Sequence, residues 1–366
     1  MKKLLLHFGG NKTGTTSLQN TCLSSFEYLL ANKIIYPDFS DVYLPQPPRS
    51  HWPLAVYFQN SAKNYYIFKD YSTSEEEVEQ FKMNVSNKFL SDIETSDTCL
   101  ISSEAFGALN IFEMKKVKSY FNSHFDQIET IFYARQPGKY FVSLFQELIK
   151  AGHRPDLGDV LKSNVFDQPC QAQNIHKTFG DAATFKIYDK GRLKNNCIVS
   201  DIFDHKYLRH SAPPQQVISI NQSLTAPAAA LQYLLNKYIP RRSEFFSVSK
   251  SIVSSVNSSL KKLPKLSLPS QQWEAYINLA VHEKWLNYLA LVKDQELYDS
   301  FDKRYELRKT ICSGMQSPDS EQIENWLMPN LRYLSIIKMP AQLSVLIQSD
   351  VIDPFDVDLL RKSFQS

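Results

Sequence analysis

The chain has 366 residues, of which 43% are hydrophobic and 22% are charged, and this composition excludes a disordered or fibrous protein. Its formal net charge of +3 is too small for a dedicated nucleic-acid-binding protein, whose surface would be strongly basic. The five cysteines are scattered without short repeated spacings, which argues against a disulfide scaffold or a zinc cluster. The first apolar run ends at Phe8, too early for a signal peptide or a transmembrane segment, so we expect a cytoplasmic protein.

Strands and helices are predicted to alternate over the first 190 residues. Short apolar runs bounded by turn residues predict four buried strands, at residues 4–8, 98–103, 128–134 and 184–188. Apolar residues at helical spacing predict helices at residues 15–30, 75–92, 113–123 and 138–151. This alternation is typical of an α/β fold with a central parallel sheet that is covered on both faces.

The remainder of the chain, after residue 221, is predicted to be wholly helical. Residues 260–272 contain proline and serine and form a connector, and Trp273 to Val292 reads as one strongly amphipathic helix. We therefore predict one domain over residues 1–305, with an α/β core at about 1–220 and a helical part at 221–305. A helical C-terminal extension, broken at Pro340 and Pro354, follows at residues 306–366.

The strongest functional signal is the segment HFGGNKTGTTSLQ, residues 7–19, where a strand runs through a glycine turn into a helix. Such a turn exposes backbone N–H groups at a helix N-terminus, which favours binding of phosphate or sulfate. Lys12 adds a positive charge, and hydroxyl donors follow at Thr13, Thr15, Thr16 and Ser17. An ordinary glycine turn with an N-capping threonine would require neither the lysine nor four hydroxyl groups around Gly14.

The nucleoside-triphosphate loop G-x-x-x-x-G-K-[ST] fails here in both possible registers. With Lys12 as its lysine, the glycine positions hold Leu6 and Asn11. With Gly14 as its last glycine, the lysine position holds Thr15. An ATP- or GTP-binding loop of that type is therefore not predicted.

What remains, KTGTTSL directly after the first strand, resembles the 5′-phosphosulfate loop of sulfotransferases that use 3′-phosphoadenosine 5′-phosphosulfate (PAPS). The family's 3′-phosphate motif, Arg-x-Pro with a serine eight residues after the arginine, is matched by Arg135, Pro137 and Ser143. The resemblance covers roughly residues 1–300 and is to bacterial members and to the carbohydrate sulfotransferase branch. It implies a three-layer fold of the P-loop type.

The resemblance also implies which residues bind the co-substrate. PAPS, and the product PAP, would contact the loop and the 3′-phosphate motif, namely Lys12, Thr13, Gly14, Thr15, Thr16, Ser17, Arg135 and Ser143. Tyr188 lies in the segment FGDAATFKIYDKGRL, which resembles the family's late strand with a tyrosine near the adenine. No metal is required for this chemistry.

The resemblance further implies sulfuryl transfer to an acceptor hydroxyl, most simply on a glycan or glycolipid. Lys12 would neutralise charge on the leaving phosphate, and a base must take the proton of the hydroxyl. Glu104, after the buried strand 98–103, is one candidate base, and His51, in the segment PRSHWPLAVYF, is the other. Glu104 could instead be a salt-bridged strand-end carboxylate, and His51 a loop histidine packed against Trp52.

Two other functions remain open at the level of sequence. One is an ATP-dependent P-loop kinase, and the other is a non-catalytic module that binds PAP or PAPS and docks a partner. The acceptor pocket is expected in loops, at residues 36–70 and 152–176, together with the helical part.

Overall fold

The computed structural model describes the whole chain except residues 43–49, 66, 67, 69–72, 163–166, 212, 215, 216, 219–222, 242, 244, 316, 317, 350 and 366. The chain forms two compact units that are interleaved along the sequence. The first comprises Met1–Gln136, Asp167–Asn221 and Glu283–Asp302, and the second comprises Pro137–Phe166, Gln222–His282 and Lys303–Ser366. Both predicted acceptor loops, 36–70 and 152–176, lie partly outside the described residues.

The first unit is built on a five-stranded parallel sheet. Its strands are β1 (Lys3–Phe8), β2 (Ile34–Ile35), β3 (Thr98–Ser103), β4 (Gln127–Ala134) and β5 (Ala183–Ile187). They are ordered β2-β3-β1-β4-β5, so that β1 lies at the centre between β3 and β4. The prediction of an α/β fold with a central parallel sheet is confirmed. Because β2 and β3 lie on one side of β1 and β4 and β5 lie on the other, the direction of strand order reverses at β1.

Alternate residues of the central strands enter two different hydrophobic cores. Leu4 and Leu6 lie in one core with Phe132, whereas Leu5 lies in the other with Tyr133. Because side chains alternate between the faces of a strand, each face of the sheet has its own core. This arrangement is compatible with a three-layer α/β fold.

Helices supply the remainder of both cores of the first unit. They are Thr15–Ser24, Phe26–Ala31, Trp52–Tyr57, Glu75–Ile93, Ile111–Asn122, Gln168–Phe179, Ile198–Phe203, His282–Val292 and Gln295–Asp302. His282 itself belongs to the second unit.

The described elements of the second unit are helical, as predicted for the C-terminal part of the chain. Its α-helices are Pro137–Lys150, Leu157–Lys162, Ala226–Leu235, Phe246–Ser259, Gln271–Ala280, Tyr305–Ile311, Ser320–Leu327, Ala341–Gln348 and Pro354–Gln365, and Met328–Ile336 is a 3-10 helix. Leu231 on the third of these and Leu346 in the C-terminal segment are buried in one hydrophobic core. None of the helices in the described part of the chain has the length and apolar character needed to cross a bilayer.

Two predicted helices differ from the structure, and one short strand was not predicted. The helix expected over residues 15–30 is interrupted at Ser25, and β2 was not predicted because it has only two residues. The single helix expected from Trp273 to Val292 was wrong, because the helix ends at Ala280 and a second one begins at His282. Trp273 is buried in the core of the second unit and Trp285 in a core of the first, so the two halves belong to different units.

Candidate functional site

The loop between β1 and the first helix has a tightly wound backbone. Lys12 and Gly14 both have left-handed conformations, with φ of 65° and 81°, and Gly14 is the N-cap of the helix Thr15–Ser24. Thr13, which is fully buried, donates to the carbonyl oxygen of Gly10 from its Oγ1 at 2.5 Å and from its backbone N–H at 3.3 Å. The first N–H groups of a helix have no partner within the helix, so this loop presents hydrogen-bond donors at the centre of the sheet edge.

Glycine is required at two positions of this loop because neighbouring atoms approach closely. A Cβ on Gly10 would overlap the carbonyl oxygen of Tyr133, the penultimate residue of β4. A Cβ on Gly14 would lie 2.8 Å from the hydroxyl oxygen of Tyr188, in addition to the strain of its positive φ. The glycines therefore allow the loop to pack against the ends of β4 and β5.

Arg135, the first residue after β4, packs directly against the loop. Its Nη1 donates to the carbonyl oxygen of Lys12 at 3.4 Å, and its backbone N–H donates to Oε1 of Gln168 at 3.0 Å. Gln168 in turn donates from Nε2 to the carbonyl oxygen of Asn11 at 2.8 Å. Burial lowers the pKa of Arg135, against the opposing effects of Tyr188 and Asp189, but a guanidinium stays charged in proteins. The loop thus has a half-buried positive charge at its side.

Tyr188, the first residue after β5, lies next to both Gly14 and Arg135. The Arg135 guanidinium carbon is 5.9 Å from the centre of the tyrosine ring. Burial raises the pKa of Tyr188, although the Arg135 charge partly offsets this, so the phenol is a neutral hydrogen-bond donor at neutral pH. The contact of Tyr188 with an adenine, which the resemblance implies, stays a prediction; the tyrosine hydroxyl lies next to Gly14 of the loop.

Glu104 begins the 3-10 turn Glu104–Ala108 immediately after β3, and it is half-buried. Ser103 caps this turn by accepting the backbone N–H of Ala105 at its Oγ, at 3.2 Å. A Cβ built on Gly9 would lie 3.0 Å from Cγ of Glu104 and 2.7 Å from Oγ1 of Thr15. The side chains of Glu104 and Thr15 therefore lie close together beside Gly9, at the start of the loop.

Thr15 is the one predicted loop residue whose side chain is a buried polar group without a partner in the structure. Its Oγ1 is buried and has no hydrogen-bond partner among the described residues, although Glu104 and Gly9 lie close by. An unsatisfied buried hydroxyl costs about 1–3 kcal/mol, so such a group in a native protein calls for an explanation such as a ligand. Thr16 and Ser17, the next two residues of the helix, are half-buried.

His51, the alternative candidate base, is held by backbone groups on both ring nitrogens. Its Nδ1 accepts the backbone N–H of Ser102 at 2.8 Å, and its Nε2 lies 2.8 Å from the carbonyl oxygen of Pro37, to which it donates. Burial lowers the pKa of His51 to about 4, so the ring is neutral at physiological pH. It packs 4.2 Å from the ring of Tyr36, and its ring lies at the level of the last residues of β3.

Ser143, predicted to share the second phosphate site with Arg135, lies on the helix Pro137–Lys150. It is half-buried and belongs to the second unit, whereas Arg135 belongs to the first. Its role with Arg135 stays a prediction.

Gln168 is the residue at the site that sequence reasoning missed. It is almost fully buried and joins the loop after β1 to the end of β4 through its two amide hydrogen bonds. The sequence offered only a glutamine before Pro169 at a helix start, which carries no functional signal by itself.

Comparisons of this chain with protein-family models, with curated proteins and with solved structures found no match.

Proposed function

We propose that this protein is a sulfotransferase that transfers the sulfuryl group of PAPS to a hydroxyl group of a glycan or glycolipid. The observation that carries the proposal is the grouping of side chains at one edge of the sheet. Four neighbouring parallel strands end there with the Lys12 loop after β1, Glu104 after β3, Arg135 after β4 and Tyr188 after β5. Ligands of open parallel sheets bind at this edge, where the direction of strand order reverses.

The donor groups of the site fit a nucleotide with two separate anionic groups. The helix N-terminus after Gly14 and the unpartnered hydroxyl of Thr15 suit a 5′-phosphosulfate. Arg135 offers a second, charged donor on the side of β4, where a 3′-phosphate would be bound through charge-assisted hydrogen bonds. ATP has no 3′-phosphate, so the Arg135 side chain supports PAPS over ATP as the ligand. The P-loop type of three-layer fold is part of this proposal.

The reaction assigned to these residues is an in-line displacement. The acceptor oxygen forms a bond to sulfur while the bond between sulfur and the 5′-phosphate oxygen breaks, and the electron pair leaves with PAP. Glu104 takes the proton of the hydroxyl, and Lys12 stabilises the negative charge that develops on the leaving phosphate. We assign His51 to positioning, because its two nitrogens already bond to Ser102 and Pro37.

The first test is calorimetric titration of the purified protein with PAP, ATP and AMP. We expect tight binding of PAP and weak binding of ATP and AMP. Arg135→Ala should weaken PAP binding roughly 10- to 100-fold, because a hydrogen bond to a charged group contributes about 1.5–3 kcal/mol. Arg209→Ala, which removes an exposed arginine of the same unit, is the matched control and should bind PAP normally.

Equal binding of ATP and PAP, or no PAP binding by folded protein, would contradict the proposal and favour the kinase. Arg135→Lys separates charge from shape, since lysine keeps the charge but cannot make a bidentate contact. An intermediate affinity for this variant is expected.

The second test asks whether the protein is an enzyme or a binding module. With radiolabelled PAPS and a panel of oligosaccharides and glycolipids, Glu104→Gln should lose turnover by about 100-fold or more while it retains PAP binding. Glu94→Gln, at an exposed position of the same unit, is the control. Normal turnover by Glu104→Gln would exclude Glu104 as the base, and no transfer by the wild-type protein to any acceptor would favour the binding module.

A further inference from the structure

A cavity lies in the first unit, among helices that do not carry the loop after β1. It has a volume of about 580 Å³ and lies between the end of the helix Trp52–Tyr57, the helix Glu75–Ile93 and the helix Ile111–Asn122. This volume falls within the range of about 300–1,000 Å³ typical of small-molecule sites. We call it the lysine cavity, after Lys82 and Lys116, which line it.

Two lysines line the cavity. Its described lining residues include no carboxylate, although the buried Glu113 carboxylate accepts the backbone N–H of Asn60 at 2.9 Å. Lys82, whose side chain is 16% exposed, bonds to Glu79 at 2.9 Å, and that glutamate side chain is 68% exposed. A pair of this kind within one helix contributes only a few tenths of a kcal/mol, so an incoming anion can compete with Glu79. Lys116 bonds to the neutral Oδ1 of Asn60 at 2.6 Å and keeps its charge uncompensated by that contact.

The walls of the lysine cavity combine aromatic rings with groups that both donate and accept hydrogen bonds. The rings of Tyr57 and Tyr120 are half-buried, with centroids 5.6 Å apart and planes at 55°, so they do not form a parallel slot for a flat aromatic ligand. The side chains of Gln59, Asn60 and Ser119 lie around them. Amide and hydroxyl groups can both donate and accept hydrogen bonds, as the hydroxyl groups of a sugar do. The faces of the aromatic rings can pack against the apolar C–H face of the sugar.

One lining residue of the lysine cavity, Phe58, is closely packed against other rings. Phe58 is 5% exposed, and its ring packs 5.9 Å from that of Phe121 and 5.4 Å from that of Tyr120. A preformed wall loses little conformational entropy when a ligand binds.

We propose that the lysine cavity is a binding site for an acidic saccharide, that is, a sugar that carries a carboxylate or a sulfate. The tyrosine rings contact the face of the sugar, the amides and Ser119 bind its hydroxyl groups, and Lys82 and Lys116 bind the anion. The site shares no residue with the nucleotide site proposed above, so it does not depend on the proposed function.

Binding of two matched disaccharides by the full chain tests this proposal, with calorimetry at low salt. The probes are cellobiouronic acid and cellobiose, which differ in one carboxylate. We expect the acid to bind roughly tenfold more tightly than the neutral sugar, because only the acid can accept charge-assisted hydrogen bonds from the lysines. The difference should shrink as salt is raised.

Variants then locate the site. Lys82→Ala and Lys116→Ala should each reduce the affinity for the acid several-fold and leave that for cellobiose nearly unchanged. Lys115→Ala, an exposed lysine on the same helix that does not line the cavity, is the control and should have no effect. Equal affinity for both sugars, no binding of either, or equal effects of all three variants would overturn the proposal. Titration of each variant with PAP measures separately whether the proposed nucleotide site still binds.

Discussion

At the scale of single residues, the two buried histidines beside the end of β3 define how this sheet edge responds to acid. His7 is fully buried and its Nδ1 lies 2.9 Å from Oγ of Ser102, whose backbone N–H donates to His51. Burial lowers the pKa of His7 to about 3 and that of His51 to about 4. The free energy of folding must therefore depend on pH below the ordinary histidine range.

We expect the protein to lose stability as the pH falls from about 6.5, where histidines of the unfolded chain begin to bind protons. The folded chain holds His51 neutral until about pH 4, so each such histidine lowers the free energy of unfolding by up to about 1.4 kcal/mol per pH unit in this window. The slope fades above about pH 7.5, where histidines of the unfolded chain are neutral as well. Urea unfolding at about pH 7, 6 and 5 measures this dependence.

His51→Gln isolates the contribution of one histidine. The variant should be less stable than the wild type at about pH 7, because Gln does not reproduce both backbone hydrogen bonds, but its stability should fall less steeply with acid. Parallel pH profiles for the two proteins would contradict the neutral, buried state of His51.

The loop glycine Gly14 provides a second prediction at this scale. Gly14→Ala should weaken PAP binding, because the added methyl group meets the Tyr188 hydroxyl and the alanine would have to adopt a φ of 81°. Gly180→Ala is a matched control, since Gly180 has a φ of 58° and open space around its Cβ position. It should lose about 1 kcal/mol of stability with unchanged affinity for PAP. Equal affinity losses in both variants, by titration, would argue against a role of the loop shape.

The residues after strands could be predicted from the sequence, whereas the residues that hold them in place could not. An apolar run that ends in a polar residue marks a strand end, and this rule found Glu104 and Arg135 at the sheet edge, whereas the glycine turn after the first strand indicated Lys12. Gln168 and the burial of His51 depend on which segments meet in space. A local pattern contains no such information, and the loop sequence around His51 favoured an exposed residue as much as a buried one.

At the scale of elements, the helix Glu75–Ile93 has a complete capping box. Ser74 accepts the backbone N–H of Glu77 at 3.2 Å, and the Glu77 carboxylate accepts the backbone N–H of Ser74 at 2.7 Å. Its acidic first turn also suits the positive end of the helix dipole, which explains why residues 75–92 were predicted so closely.

Ser74→Ala should therefore lower the free energy of unfolding by about 1 kcal/mol. Ser25 is the matched control, because it occupies the N-cap of the helix Phe26–Ala31 without a side-chain cap bond. Ser25→Ala should change stability by less than half as much. Chemical denaturation of both variants compares them, and equal losses would show that the Ser74 hydroxyl does not act as a cap.

The two broken helices were predicted as unbroken for the same reason. The apolar spacing continues through Ser25 and through Val281, so periodicity alone predicts unbroken helices there. At Val281 the segments on either side pack in different units, as Trp273 and Trp285 do. On either side of Ser25, by contrast, Leu18 and Leu29 are buried in one core. Helical periodicity shows which face of a segment is buried but not which partner covers it.

At the scale of the whole molecule, the last 60 or so residues are part of the second unit. Leu331, Leu343 and Leu360 are buried in the same core as Leu231. The sequence predicted residues 306–366 as an extension with no assigned role, and this segment supplies a large share of that core. Its removal should therefore destabilise the second unit and not simply shorten the protein.

The carboxylate of Asp356 ties the C-terminal helix to the rest of the second unit. It accepts hydrogen bonds from the Tyr238 hydroxyl and from Nζ of Lys237, the latter at 3.0 Å, and its side chain is only 8% exposed. Side-chain hydrogen bonds of Lys237 with Tyr238 and with Asp356 raise the pKa of Lys237. The aspartate therefore has two partners that would lose their hydrogen bonds if it were removed.

We expect Asp356→Ala to lower the free energy of unfolding by about 2 kcal/mol and to expose the C-terminal helix to limited proteolysis. Asp358→Ala tests the specificity of this effect, because Asp358 is exposed on the same helix and only pairs with Lys362 one turn away. A surface pair of that kind contributes at most about 0.5 kcal/mol. If both variants were cleaved at the same rate as the wild type, the docking of the C-terminal helix through Asp356 would be excluded. Faster cleavage of Asp356→Ala alone would establish that residues 306–366 fold as part of the second unit.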